Sequence, residues 1–223
     1  LEHRDILGDT LAEIAAEKAA IARPGKPLIV RSVDDSDAIT AIELEAKHAG
    51  RSELGEAHGT ASLEWISIPE EASFDEEATL LAQATLQSLN VDTEGLQTPQ
   101  ALLNWPGRFH EIAAPWDGSI LFDAAHNPSG MVRMLPQLRA RIEQELSWTL
   151  AFGCTPQHDL TSFADPLIEL CHQHPPESIV LTKPQHGRYP GVDLETLRNL
   201  NWPTSCTILE QEDAAATGDR LNK

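Results

Sequence analysis

Short apolar runs of strand type alternate along this chain with longer segments that have helical periodicity. The apolar runs lie at residues 28–30, 63–68, 119–122, 148–152, 179–182 and 204–209. Helical patterns lie at residues 10–22, 36–48, 76–89, 160–172 and 194–200, and another helix begins at Pro128. Strands that alternate with helices form a mostly parallel sheet with both faces covered. The sequence therefore predicts an α/β fold of Rossmann-like type, without the glycine-rich dinucleotide motif.

Turn-forming residues interrupt this alternation near the middle of the chain. Residues 90–99 are rich in turn formers, and a Trp-Pro-Gly segment follows at residues 105–107. A chain of 223 residues is long enough for two domains. We expect one domain at residues 1–104 and a second at residues 105–223. The chain starts without methionine and enters a helical pattern almost at once, so we expect it to be part of a longer protein.

The composition argues against two classes of partner. The chain has 35 acidic and 16 basic residues, a formal charge of −19 that would repel a nucleic-acid backbone. Its apolar runs are shorter than the roughly 20 residues of a membrane-spanning helix. Cys154, Cys171 and Cys206 lack the spacing of metal ligands, which favours a reduced cytoplasm. ATP can still bind an acidic protein if Mg²⁺ or a few well-placed cations neutralise its phosphates.

Lys18 occupies an unusual position in the first helical pattern. Together with Leu11, Ile14 and Ala15, it follows the spacing of a buried helical stripe. Burial disfavours a charged ammonium, so a neutral amine at Lys18 could react with carbon dioxide to form a carbamate, an oxygen ligand for Mg²⁺. The alternative is that Lys18 extends from the edge of the stripe or pairs with an acidic neighbour such as Glu17.

Asp123 and His126 lie between a strand and the start of a helix, where parallel sheets usually form their ligand crevice. Asn127 suits the N-cap of this helix and Pro128 its first turn. Asp123 could orient a ribose, a metal-bound water or an amine, and the helix N-terminus offers donors to an anion. Equally, Asp123 and Asn127 could form a capped turn in which they satisfy backbone groups.

Arg108 and His3 are weaker candidates. Arg108 follows a Pro-Gly turn at the expected domain junction, from which its guanidinium could bind phosphate oxygens. An ordinary ion pair between domains is the alternative for Arg108. His3 lies near the start of the chain and could face the same cleft as Lys18, or it could be a surface or core histidine with no such role.

Four motifs, in this order, resemble the folylpolyglutamate synthase/dihydrofolate synthase family of the Mur ligase superfamily. They read LEHRDILGDT at residues 1–10, IAAEKAAI followed by PGKP at residues 14–27, WPGRF at residues 105–109, and DAAHNP at residues 123–128. The resemblance extends along nearly the whole chain. It implies the end of a central ATPase domain of Mur-ligase type, followed by a Rossmann-like C-terminal domain.

The resemblance also implies roles for single residues. His3 would be a Mg²⁺ ligand, and Lys18 would be the carbamylated lysine that also holds metal. Arg108 and Asp123 would contribute to ATP binding, while His126 would act with Lys18 in catalysis. Gly153 and Asp159 would belong to a loop that the family usually writes G…DKD.

The resemblance implies an ATP-dependent amide ligase that adds L-glutamate to a folate or pteroate carboxylate through an acyl phosphate. The expected ligands are folate or dihydropteroate, glutamate, ATP and Mg²⁺, and we expect a cytoplasmic monomer. The family's phosphate loop, GTNGKGS, is missing, so we expect this chain to be inactive alone.

Two departures from the family pattern keep alternatives open. Glu77 stands where the family has an asparagine that contacts ATP, and the DKD segment reads Gln-His-Asp at residues 157–159. The alternatives are another Mur-type amino-acid ligase and a non-catalytic homologue that only binds ligand.

Overall fold

A computed structural model of the chain describes residues 7–50, 59–70, 72–92, 105–116, 118–185 and 189–212. The chain forms two compact units, Leu1–Leu103 and Asn104–Lys223. Their assignment to the central and C-terminal domains of a ligase stays a prediction. Within the described ranges, no helix has both the length and the apolar character needed to cross a membrane.

The first unit combines helices with two parallel strands. Its elements are α1 (Leu11–Ala19), β1 (Pro27–Arg31), α2 (Ser36–Lys47), β2 (Ser62–Ile66) and α3 (Phe74–Ser88). Strands β1 and β2 pair in parallel, with Leu28 opposite Leu63. The core of this unit is built largely from small side chains. Its buried members are Ala19, Ala22, Leu28, Ile42, Ala46 and Ala49.

Side-chain caps fix where the helices of the first unit begin. Thr10 and Glu13 form a capping box at α1, and Ser73 and Glu76 form another at α3. In each box, the hydroxyl and the carboxylate satisfy backbone N–H groups that the helix leaves without partners. The second box explains why α3 begins at Phe74, two residues before the start that periodicity predicts.

The second unit contains a parallel sheet and a separate hairpin. Its elements are β3 (His110–Ala113), β4 (Ser119–Phe122), α4 (Pro128–Ile142), β5 (Thr149–Phe152), α5 (Leu160–Gln173), β6 (Ser178–Thr182), α6 (Leu194–Arg198) and β7 (Thr207–Gln211). The sheet has the order β5-β6-β7, with both neighbouring pairs parallel. The expectation of an α/β fold with mostly parallel strands is confirmed.

The central strand β6 lies in the core of the second unit. Ile179, Val180 and Leu181 are each fully buried, although successive residues of a strand point to opposite faces. Both faces of β6 are therefore covered, as expected for a continuous apolar run in a parallel sheet. In the same core, the rings of Phe152 and Trp202 pack edge to face, with ring centroids 5.5 Å apart.

The hairpin corrects one expectation. Residues 119–122 do form a strand, β4, but it pairs antiparallel with β3 and not with the parallel sheet. Strand β3 is missing from the sequence prediction because its residues are half-buried or exposed, so they lack an apolar pattern. Its pairing with β4 is a contact between distant residues, such as His110 opposite Phe122, which periodicity does not reveal.

Candidate functional site

The segment 105–109 and the loop 123–127 lie against each other in the second unit. The amide of Arg108 donates to the carbonyl of Trp105 at 3.0 Å, which closes a turn. The amide of Ala124 donates to the carbonyl of Gly107 at 2.8 Å, which joins this turn to the loop. Gly107 has φ = 77°, a left-handed conformation that glycine adopts without steric cost. The segments 105–109 and 123–127, which are distant in the sequence, are therefore joined by backbone hydrogen bonding.

Asp123 makes the second connection between these segments. Its Oδ2 accepts the amide proton of Phe109 at 2.9 Å, and its Oδ1 accepts that of Ala125 at 2.8 Å. These are the hydrogen bonds expected if Asp123 stabilises a capped turn, which was the alternative to ligand binding by Asp123. They also bring Asp123 to the residue next to Arg108, so the two candidates for ATP binding lie at one place.

Phe109 is part of this site although sequence reasoning missed it. Its φ of 44° is left-handed, which costs an L-residue with a Cβ about 1–2 kcal/mol. Its ring packs against the core of the second unit, and its N–H is bound by Asp123. Only the Pro-Gly turn before it hints at an unusual backbone.

His126 is exposed at the end of the same loop. Its Nδ1 lies 3.1 Å from the carbonyl oxygen of Ala124. A carbonyl only accepts, so Nδ1 carries the proton in this hydrogen bond, and Nε2 of the neutral ring is left as an acceptor.

The N-terminus of α4 completes the site. Asn127 is the N-cap, with its Oδ1 accepting the amide of Gly130 at 2.6 Å, and Pro128 begins the helix. Both positions were predicted correctly. A Cβ on Gly130 would lie 2.7 Å from Oδ1 of Asn127, so a side chain there would disturb the cap.

The structure contradicts the buried position expected for Lys18. Lys18 is exposed, and Leu11 of the supposed stripe is 47% exposed. The face of α1 that packs into the core carries Ala15 and Ala19, so the buried stripe is displaced by one residue from Lys18. The expectation that burial prepares Lys18 to react is therefore wrong. Its proposed carbamylation has no support from burial.

The metal site stays a prediction. His3 lies outside the described residues. Within the described part of the chain, no group of three or more His, Cys, Asp or Glu side chains could hold a metal ion.

Gly153 and Asp159 lie at the carboxyl end of the parallel sheet. A Cβ on Gly153 would overlap the carbonyl oxygen of Thr182 at the end of β6, so the close approach of these strand ends requires glycine. Asp159 caps α5, accepting from the amide of Ser162 at 3.1 Å and from its hydroxyl at 2.5 Å. These hydrogen bonds, the hydroxyl's above all, lower the pKa of Asp159.

The chain is similar in sequence to curated proteins named dihydrofolate synthetase. It is 26% identical over 176 residues to the Schizosaccharomyces pombe protein named "Probable dihydrofolate synthetase", a match that covers 70% of this chain and 42% of that protein. It is 24% identical over 208 residues to dihydrofolate synthetase of Saccharomyces cerevisiae, covering 82% of this chain and 47% of that protein. The chain thus spans less than half the length of these relatives. No protein-family model matches it.

A solved structure shares the fold. FolC of E. coli, in complex with DHPP and ADP, superposes with a TM-score of 0.67 at 19% sequence identity. The superposition covers 99% of this chain and 52% of FolC.

Proposed function

Because the chain belongs to the folylpolyglutamate synthase/dihydrofolate synthase family of Mur ligases, we propose that the full-length protein is an ATP-dependent amide ligase. It adds L-glutamate to a folate or pteroate carboxylate. The observation that carries this proposal is the Asp123 hydrogen bond to Phe109, because it places Arg108 beside the loop that leads into α4. An exposed guanidinium is suited to bind phosphate by charge-assisted hydrogen bonds.

The proposed reaction has two steps. A carboxylate oxygen of the folate or pteroate takes the terminal phosphoryl group of ATP, which gives an acyl phosphate and ADP. The amine of glutamate then attacks the acyl carbon, the amide bond forms, and inorganic phosphate leaves. Arg108 stabilises negative charge on the phosphate oxygens by charge-assisted hydrogen bonds.

His126 has a matching role in the second step. The attacking amine must lose protons when it becomes an amide. Because Nδ1 of His126 donates to Ala124, Nε2 of the neutral ring can accept such a proton. Asp123 is proposed to contribute to ATP binding, as the family resemblance implies.

Mg²⁺ would neutralise the transferring phosphoryl group. The residues proposed to hold it are His3 and a carbamylated Lys18, and both assignments are supported by the family resemblance alone. A cytoplasmic location and a monomeric state remain parts of the proposal.

A second candidate function is ligand binding without catalysis. The observation that favours it is the ion pair between Glu77 and Arg31, whose Oε2 and Nη1 atoms are 3.0 Å apart. Glu77 is negatively charged and pairs with Arg31, whereas the asparagine of the family pattern is neutral and contacts ATP.

Release of ADP by the full-length protein distinguishes these functions. The ligase proposal predicts ADP release that requires both L-glutamate and a folate or dihydropteroate. Release with UDP-muramyl substrates in their place would identify another Mur-type ligase. If calorimetry shows no binding of Mg·ATP, the non-catalytic function is favoured.

A further inference from the structure

The hydrogen bonds of Asp123 go to the backbone on either side of the loop junction and not to its charged neighbour. Its two oxygens accept from Phe109 and Ala125. The guanidinium of Arg108, the residue directly before Phe109, has no hydrogen bond or ion pair with any of the described residues. The carboxylate of Asp123 therefore binds backbone N–H groups, and the guanidinium of Arg108 is available to a partner outside the described chain.

The described part of the chain contains arginines with a carboxylate partner and arginines without one. Acidic residues outnumber basic ones by 35 to 16, so most cations have carboxylates available to them. Arg31, Arg141 and Arg198 each form an ion pair with a glutamate. An exposed guanidinium without such a partner in the described chain is suited to an anion from outside.

The backbone around Arg108 is fixed on both sides. Before it, Gly107 adopts φ = 77° and accepts from the amide of Ala124 at 2.8 Å. After it, Phe109 adopts φ = 44°, and its amide donates to Asp123. A left-handed phenylalanine persists only when its surroundings stabilise it. The carboxylate of Asp123 supplies one such contact, and the packing of the Phe109 ring supplies another.

We propose that Asp123 is a positioning residue that acts through Arg108. Its carboxylate holds the turn at residues 107–109, and the turn presents the Arg108 guanidinium to an oxyanion of the substrate, a phosphate group of ATP. This inference rests on the proposed function for the identity of the anion. It changes the role expected for Asp123 from direct contact with ATP to control of the residue that makes the contact.

The first test measures the turn without any ligand. Trypsin cleaves the peptide bond after Arg108 only if the turn can open. The cleavage rate at this bond therefore measures how strongly the Asp123 carboxylate stabilises the turn. In full-length protein, Asp123→Ala should increase the rate at Arg108 several-fold, measured by mass spectrometry of the fragments. Asp123→Asn keeps one acceptor oxygen and should give a smaller increase. Asp193→Ala removes a similar aspartate cap at α6 and should leave this rate unchanged.

The second test measures Mg·ATP affinity of the full-length protein by calorimetry. A positioning role predicts that Asp123→Asn weakens binding, that Arg108→Ala weakens it at least as much, and that the double variant binds no more weakly than Arg108→Ala. Asp123→Asn serves here because it preserves the shape of the side chain if the alanine variant fails to fold.

Two results would overturn the inference. Unchanged cleavage at Arg108 in both Asp123 variants would show that the carboxylate does not hold the turn. Additive losses of affinity in the double variant would show that Asp123 contacts the nucleotide independently. If the wild-type protein does not bind Mg·ATP, the proposed function and the assigned anion both fail, while the cleavage rates still decide whether Asp123 controls the turn.

Discussion

Arg31 and Glu77 join the end of β1 to the first turn of α3. Nη1 of Arg31 lies 3.0 Å from Oε2 and 3.2 Å from Oε1 of Glu77. The side chain of Glu77 is 14% exposed and that of Arg31 is 47% exposed, so the carboxylate is the more deeply placed partner. The carboxylate that departs from the family pattern is thus neutralised by a cation of the same unit.

This ion pair predicts how Mg·ATP binding responds to substitution. Arg31→Ala leaves a largely buried carboxylate without this cation, at a position to which the family resemblance assigns a nucleotide contact. We expect Mg·ATP to bind several-fold more weakly to this variant, because the negative charge of Glu77, no longer neutralised by Arg31, repels phosphate. Adding Glu77→Asn should restore binding, as measured by calorimetry on the full-length protein. A loss that persists in the double variant would contradict this explanation.

The cap of α5 predicts a pH dependence. Hydrogen bonds from Ser162 lower the pKa of Asp159 from its ordinary value of 3.8. A lowered pKa in the folded state contributes stability that is present above the ordinary value and is lost as pH falls through the folded value. Asp159→Ala should therefore lower the midpoint of urea unfolding at about pH 7, and the difference from wild type should shrink below about pH 4. Asp165→Ala, an exposed aspartate within α5, is the control.

A difference that stayed constant down to about pH 2 would show that the charge of Asp159 does not matter to the cap.

The cysteines should differ in reactivity. Burial raises the pKa of Cys154 to about 11 and that of Cys171 to about 12, so little thiolate is present at neutral pH. Cys206 is only half-buried. Iodoacetamide should modify Cys206 first in the native protein and all three after unfolding, as peptide mapping can show. Early modification of Cys171 would contradict the packing of α5.

The core of the second unit predicts a contrast between two leucines. Leu181 is fully buried in β6, whereas Leu146 is fully exposed before β5. Leu181→Ala should lower the free energy of unfolding by about 2–5 kcal/mol, because it leaves a cavity. Leu146→Ala makes the same chemical change and should have an effect below about 0.5 kcal/mol. Hydrogen exchange of β6 amides would measure both, and equal effects would contradict the assigned core.

Much of the fold is visible in the sequence because local patterns determine it. The apolar run at 179–182 predicts β6 to within one residue, and the helix predicted at 160–172 differs from α5 by one residue at its end. Strand β3 was missed because its pairing with β4 is not local. The buried stripe of α1 was misplaced because alanines, and not larger aliphatic residues, form its contact with the core.

The candidate site is only partly visible in the sequence. Motifs identified Arg108 and Asp123 separately. The hydrogen bond that brings their segments together joins Phe109 to Asp123, 14 positions apart in the sequence. Periodicity could not predict it, since neither segment is regular. The left-handed Phe109 was also hidden, because phenylalanine is not a residue typical of that conformation.

The proposed role of Arg108 in an ATP-dependent ligase is tested by the rate of glutamate-dependent ADP release by the full-length protein. We expect Arg108→Ala to lower this rate by about 100-fold, as for loss of a donor that stabilises developing charge. Lys18→Ala should abolish it. Arg198→Ala, which removes an exposed ion pair with Glu210, should leave it unchanged. Wild-type rates in both the Arg108 and Lys18 variants would rule out the proposed roles of these two residues.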